Sequence, residues 1–125
     1  MLTARVLAAV PIVPVTDLTA SLGWYAALGF VPRSDADSHA HQYALLTMGA
    51  VELHLRQLGQ GEIIPKEHSP AGVYLRVEGV DQVFTQLKQK GKLAFVFEPT
   101  NQPWGMREFA ISDPDGTLLR FGQIA

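Results

Sequence analysis

Cysteine is absent from this chain. That excludes disulfide bridges, thiolate metal sites and cysteine nucleophiles, and it suits a reducing compartment. Clustered positive charge is also missing: ten Lys and Arg are scattered among twelve Asp and Glu, for a formal charge of −2 and a pI near 6.0. Nucleic-acid binding needs a basic patch to neutralise phosphates, so no nucleic-acid partner is expected. No apolar run reaches the length of a bilayer span. The start, MLTARVLAAVPIVPV, is apolar but lacks a basic leading region and is interrupted by Pro11 and Pro14. It reads as a strand rather than a signal peptide, and the expectation is a cytoplasmic protein without a membrane partner. A phosphate-gripping glycine loop, a Gly-x-Ser-x-Gly elbow and an HExxH metal motif are missing too.

What is present is a foldable chain. Its 125 residues are 47% hydrophobic, enough for one core, and residues 1–125 read as a single domain. Val6–Val15 is β-rich, and its two prolines suit an edge or bulged strand. Asp17 or Thr16 can cap a helix in which Leu18, Leu22, Tyr25 and Leu28 form one apolar stripe ended by Gly29. Phe30–Pro32 resumes extended structure, and Arg33–His41 is a polar connection. Gln42–Met48 and Ala50–Gln57 follow as strands joined at Gly49. In the second, Val51, Leu53 and Leu55 alternate with Glu52, His54 and Arg56, which predicts one dry and one wetter sheet face.

Leu58–Pro70 has no clear pattern and reads as a linker. Gly72–Val77 is the next strand. Val80, Val83, Phe84 and Leu87 then mark a second helix stopped by Gly91, followed by an extended Leu93–Glu98 and a loop over Pro99–Gly105. At an offset of 62 residues, Val15, Leu18, Leu22, Tyr25 and Gly29 map onto Val77, Val80, Phe84, Leu87 and Gly91. Each half reads as strand, helix, then three strands, with modules at about 5–58 and 70–123. Neither buries its helix and sheet alone, so the expected fold is α+β: two βαβββ modules packed as one domain around a concave cleft.

The closing stretch, QPWGMREFAISDPDGTLLRFGQ over Gln102–Gln123, is the most informative. A Pro-Trp-Gly turn precedes strand Arg107–Ile111, and Asp113-Pro114-Asp115-Gly116 turns the chain into strand Thr117–Phe121. The proline fixes φ, the aspartates accept backbone N–H bonds and the glycine tolerates positive φ, so Asp113 and Asp115 are turn builders before anything else. Phe109 reads as core. Arg107 and Glu108 either order the preceding loop or meet a ligand. His39, His41 and His68 fall in loops without a partner at recognisable spacing and read as surface residues.

Together with VPIVPVTDLTASLGWYAALGF and GAVELHL, this stretch resembles the glyoxalase/bleomycin-resistance/extradiol-dioxygenase (vicinal oxygen chelate) superfamily, and within it the bleomycin-resistance proteins. The resemblance spans essentially the whole chain. It implies a cleft in which the enzymes of the superfamily hold a divalent metal. Carried over by position, those ligands fall on Val10, Glu52, Gly72 and Arg120. Only Glu52 keeps a ligating side chain, and an arginine there repels a cation. No metal site, no catalytic residue and no cofactor are therefore expected.

The resemblance also implies a site. Trp104 stacks on a planar aromatic part of the ligand, and Tyr43 matches the position of a second ring in the drug-binding proteins. The residues themselves add to it. Glu52, His54 and Arg56 read either as a solvated strand face or, in a cleft, as a Glu52 that attracts a cationic group and a His54 that donates or accepts according to its tautomer. Tyr74 adds a cleft wall with a hydroxyl, and Arg120 balances Glu52 or meets the ligand. The implied function is non-catalytic sequestration of a bleomycin-type antibiotic, a small molecule with planar aromatic and cationic parts. The implied assembly is a homodimer with grooves at its interface. Another aromatic natural product is an alternative ligand. The rival readings are a metal-dependent lyase, isomerase or dioxygenase using a displaced site around Glu52 and His54, and a dimeric scaffold or transcription-linked sensor.

Overall fold

The computed structural model describes residues 2–33, 42–64 and 72–125. The first module contains β1 (Ile12–Val15), α1 (Leu18–Leu28), β2 (Val31–Pro32), β3 (Tyr43–Met48) and β4 (Val51–Gln57). The second contains β5 (Gly72–Arg76), α2 (Val80–Lys90), β6 (Ala94–Asn101), β7 (Met106–Ser112) and β8 (Leu118–Ile124). Each module forms a mixed four-stranded sheet, ordered β1-β4-β3-β2 and β5-β8-β7-β6. In both, the opening strand runs parallel to the last and the other pairs are antiparallel. This is the α+β fold of paired βαβββ modules that the repeat predicts.

The helix ends follow from local chemistry. Asp17 caps α1 by accepting the Ala20 N–H at 3.1 Å. Gly29, at φ +114°, closes the helix in the left-handed region that glycine adopts without strain. Gly91 ends α2 at the equivalent place. Both helices lay their stripes on the dry faces of their sheets. Leu18 and Tyr25 of α1 and Val80 and Leu87 of α2 belong to one continuous buried cluster with Val13, Val15, Leu46, Leu53 and Leu55 of the first sheet and Val73, Phe109, Ile111, Leu119 and Phe121 of the second. Phe109 and Phe121 stack at 4.9 Å, and Phe84 meets Phe109 edge-on at 5.3 Å.

The modules are joined by a buried polar tie as well as by apolar contact. The Tyr25 hydroxyl donates to Asp113 Oδ2 at 2.8 Å, across from α1 to the β7–β8 turn. Asp113 Oδ1 accepts the N–H groups of Asp115 and Thr117, both at 2.9 Å. Outside this tie, Thr16 donates from its hydroxyl to Asp115 Oδ1 at 2.5 Å. The expected turn-building role of the two aspartates is therefore extended to holding the halves together.

Two strand boundaries differ from the sequence expectation. Only Ile12–Val15 of the predicted Val6–Val15 strand pairs with β4. The Pro11 carbonyl still accepts the His54 N–H at 2.9 Å, but proline has no N–H with which to continue the ladder. Conversely, β6 runs on through Pro99 to Asn101, where a loop is expected. It is an edge strand with register shifts between Phe95 and Phe97 and between Phe97 and Thr100, which is where a sheet tolerates proline. His39, His41 and His68, most of the Arg33–His41 connection and part of the Leu58–Pro70 linker lie outside the described residues. No helix among the described residues is long and apolar enough to cross a membrane.

Candidate functional site

The wetter face of the second sheet is built by alternation. Because Phe109, Leu119 and Phe121 point into the core, their neighbours Glu108, Ala110, Arg120 and Gly122 point the other way. The β6–β7 hairpin rises at one end of this face. Gln102 N–H donates to the Met106 carbonyl at 2.7 Å, Gly105 N–H donates to the Gln102 carbonyl at 3.1 Å, and Gly105 sits at φ +87°. That tight turn leaves Trp104 at the tip with 65% of its surface exposed. Trp104, Gln102, Phe97, Glu108, Tyr74 and Arg120 line a cavity of about 410 Å³.

Tyr74, on β5, reaches over its neighbouring strand. Its hydroxyl donates to Glu108 Oε2 on β7 at 2.7 Å, although its own strand partner is Arg120 on β8. The ring crosses Gly122, the cross-strand partner of Glu108, where any Cβ would run into the hydroxyl. Gly122 is thus the gap that lets the Tyr74–Glu108 bond form. Burial, followed by the hydrogen bond and charge of Glu108, raises the Tyr74 phenol above its ordinary pKa, so the hydroxyl stays a donor at neutral pH. The Arg120 guanidinium lies toward Gly72, with NH1 3.7 Å from the point a Cβ there would occupy.

On the first sheet, Tyr43, His54 and Glu52 form a hydrogen-bonded chain. The Tyr43 hydroxyl lies 2.8 Å from His54 Nδ1, and His54 Nε2 lies 2.6 Å from Glu52 Oε2. An ionised carboxylate only accepts, so in the neutral imidazole Nε2 carries the proton and Nδ1 accepts from Tyr43. Arg33 NH1 donates to Glu52 Oε1 at 3.3 Å. The Tyr43 ring meets the imidazole edge-on at 5.2 Å.

Of the six residues singled out in the sequence, four line one or both of two cavities that share Tyr74, while Tyr43 and His54 line neither and meet the site only through the hydrogen bond from His54 to Glu52. Trp104, Tyr74 and Arg120 line the cavity under the hairpin. Glu52 and Tyr74 line a second cavity of about 270 Å³, together with Val10, Leu53 and Val73. The expected balance of Glu52 by Arg120 is not what the structure holds. Glu52 is taken by His54 and Arg33, and Arg120 makes no ion pair among the described residues. Arg107 ties the hairpin to α2 instead of entering the cavity, bonding Asp81 through Nε at 2.9 Å and NH2 at 2.8 Å. The pair holds the Asp81 carboxyl below its usual range.

The residues at the superfamily's metal positions do not fit a divalent ion. Gly72 offers no side-chain donor, and the Arg120 guanidinium stands beside it. Both Glu52 oxygens are engaged, and no group of three His, Cys, Asp or Glu among the described residues is placed to hold an ion. Sequence reasoning missed Gly122, Phe97 and Gln102, and left Glu108 undecided. The available signal was alternation: a core Phe109 obliges Glu108 to face the cleft.

The sequence profile of the Glyoxalase/Bleomycin resistance protein/Dioxygenase superfamily matches residues 6–121. A bleomycin resistance protein of Geobacillus stearothermophilus is 30% identical over 131 aligned positions, covering 94% of this chain and 96% of the relative. A crystal structure of a bleomycin-binding protein complexed with bleomycin superposes with a TM-score of 0.78 at 25% identity, over 96% of this chain and 100% of that one. A bleomycin resistance determinant encoded on the transposon Tn5 superposes with a TM-score of 0.78 at 26% identity, over 95% of this chain and 98% of that one.

Proposed function

Because the chain belongs to the Glyoxalase/Bleomycin resistance protein/Dioxygenase superfamily, we propose that it binds and sequesters a bleomycin-type antibiotic without altering it. The observation that carries this reading is Trp104, held exposed at the tip of a tight hairpin over a polar-walled cavity. A planar heteroaromatic group laid on that ring gains apolar burial at little cost in side-chain entropy. Tyr74 and Arg120 add a hydroxyl and a cation along the same cavity. Similarity to bleomycin resistance proteins over nearly the full length supports the choice of ligand.

The donor set supports sequestration over catalysis. A superfamily enzyme needs a Lewis acid at the cleft to polarise a substrate oxygen, and Gly72 and Arg120 occupy that place with no donor and with a positive charge. The protein acts in the cytoplasm as a homodimer. Leu2, Val6 and Leu7 are 72%, 73% and 84% exposed in the single chain, apolar surface that a second copy would cover.

Calorimetric titration of metal-free and metal-loaded bleomycin tests this reading. Wild type binds, and Trp104→Ala weakens binding by roughly 1–3 kcal/mol, the range for a central aromatic contact. Absence of wild-type binding rejects the ligand, while equal binding by folded Trp104→Ala rejects the stacking role.

A further inference from the structure

The cavity beneath Trp104 contains a buried ionisable side chain that the aromatic contact leaves without a role. Glu108 is 1% exposed and lines the cavity. Its Oε2 accepts from Tyr74, while Oε1, which bonds to no donor among the described residues, is not sealed from solvent and opens to the cavity. A carboxylate this little exposed has given up most of its water on folding, and the oxygen that opens to the cavity is the one left to a ligand donor. A donor arriving there gains a strong interaction with little further desolvation of the carboxylate.

The neighbours define which donor fits. Arg120 lines the same cavity and its charge reaches the Tyr74 hydroxyl, but it forms no ion pair with Glu108 among the described residues, so the carboxylate is left to a ligand cation held at the Glu108 end. The Arg120 guanidinium leans toward Gly72, which pairs with Leu118, whereas Glu108 pairs with Gly122, so the two charges lean toward opposite ends of β8. Phe97 and Trp104 supply apolar walls on the Glu108 side. Between aromatic walls, a flat and weakly hydrated cation fits better than a compact, strongly hydrated ammonium.

We propose that Glu108, positioned by Tyr74 across Gly122, is the specificity determinant of this cavity, receiving an amidinium or guanidinium attached to the aromatic surface that lies on Trp104. The planar cation presents in-plane N–H donors to Oε1, a charge-assisted pairing that a neutral isostere cannot reproduce. This assignment rests on the ligand-binding reading of the same cavity and adds the chemical class that the cavity selects.

Two matched probes test it: 2-naphthamidine and its neutral counterpart 2-naphthamide, titrated into the full chain and followed by tryptophan fluorescence. Wild type should bind the amidine at least about tenfold more tightly than the amide. Glu108→Gln should bring that ratio close to one. Glu108→Asp, which keeps the charge but withdraws it by one methylene, should lower the ratio and serves where the glutamine variant does not fold. Glu98→Gln, which removes an exposed carboxylate from β6, should leave the ratio intact. Equal affinity of wild type for the two probes, no binding of either, or a full ratio in folded Glu108→Gln or Glu108→Asp overturns the assignment. Bleomycin binding without amidine preference rejects the role of Glu108 alone. Amidine preference without bleomycin binding rejects the antibiotic alone.

Discussion

Tyr25→Phe isolates the polar tie between the two modules. The Tyr25 side chain is fully buried, and its hydroxyl is the sole donor to Asp113 Oδ2 among the described residues. Phenylalanine keeps the ring packed against Trp24 and Phe30 and removes only the donor. Asp113 is itself buried, and its other oxygen stays bound to two backbone N–H groups. A hydrogen bond to a charged group contributes about 1.5–3 kcal/mol, so the variant should lose about 2 kcal/mol at pH 7. For a domain of this size that lowers Tm by about 8 °C at fixed protein concentration.

The pH dependence gives the sharper check. Burial raises the Asp113 carboxyl above its ordinary pKa, against the opposing pull of Tyr25 and the turn N–H groups. A raised folded-state pKa means that the native state holds this proton more tightly than the unfolded chain does. The stability linked to it is fully present below the unfolded value and is lost as pH rises through the folded one. Removing the Tyr25 hydroxyl takes away a donor to the charged form, so the folded pKa rises further. The gap between wild type and Tyr25→Phe should therefore be widest at pH 7 and narrow toward about pH 4, where the carboxyl needs the donor less. Chemical denaturation at several pH values measures it. A gap that is constant with pH, or that widens on acidification, refutes the reasoning.

Two further predictions concern the first helix and the superfamily's metal chemistry. Asp17→Ala removes the side-chain acceptor for the Ala20 N–H and should destabilise the protein by about 1 kcal/mol, read as a shifted denaturation midpoint with unchanged slope. Adding zinc, nickel or manganese to the purified protein should leave Tm unchanged, because the described residues present no three converging donors; a saturable rise would show that a site exists.

Much of the fold was legible because local chemistry and tertiary packing agree in it. Asp17, Gly29 and Gly91 mark helix ends by capping geometry that needs no distant partner. The offset of 62 residues repeats the buried stripe as well as the stops. The edges were harder. Whether Pro99 ends β6 or sits within it depends on the strand having a free side, which only the sheet order decides. At the site, turn chemistry placed Trp104 in a Pro-Trp-Gly turn, but that this turn is the tip of a β6–β7 hairpin depends on β6 running through Pro99. Glu108 was ambiguous because its burial comes from another strand's residue, Tyr74, which leans across a glycine fourteen residues further along the chain than Glu108 itself. The same limit applies to Arg120. Its sign was evident, but its direction is set by the space above Gly72, and that turned it away from pairing with Glu52.

The most direct test of sequestration is to follow the drug through a complete cycle of binding and release. Bleomycin in large molar excess is incubated with the purified protein, the bound fraction is counted, and the drug is recovered after denaturing the protein and weighed by mass spectrometry. Binding should saturate at a fixed ratio of drug to chain, and every recovered molecule should have its starting mass. A modified product that accumulates beyond the number of protein chains present would contradict the account, because only a catalyst can do that.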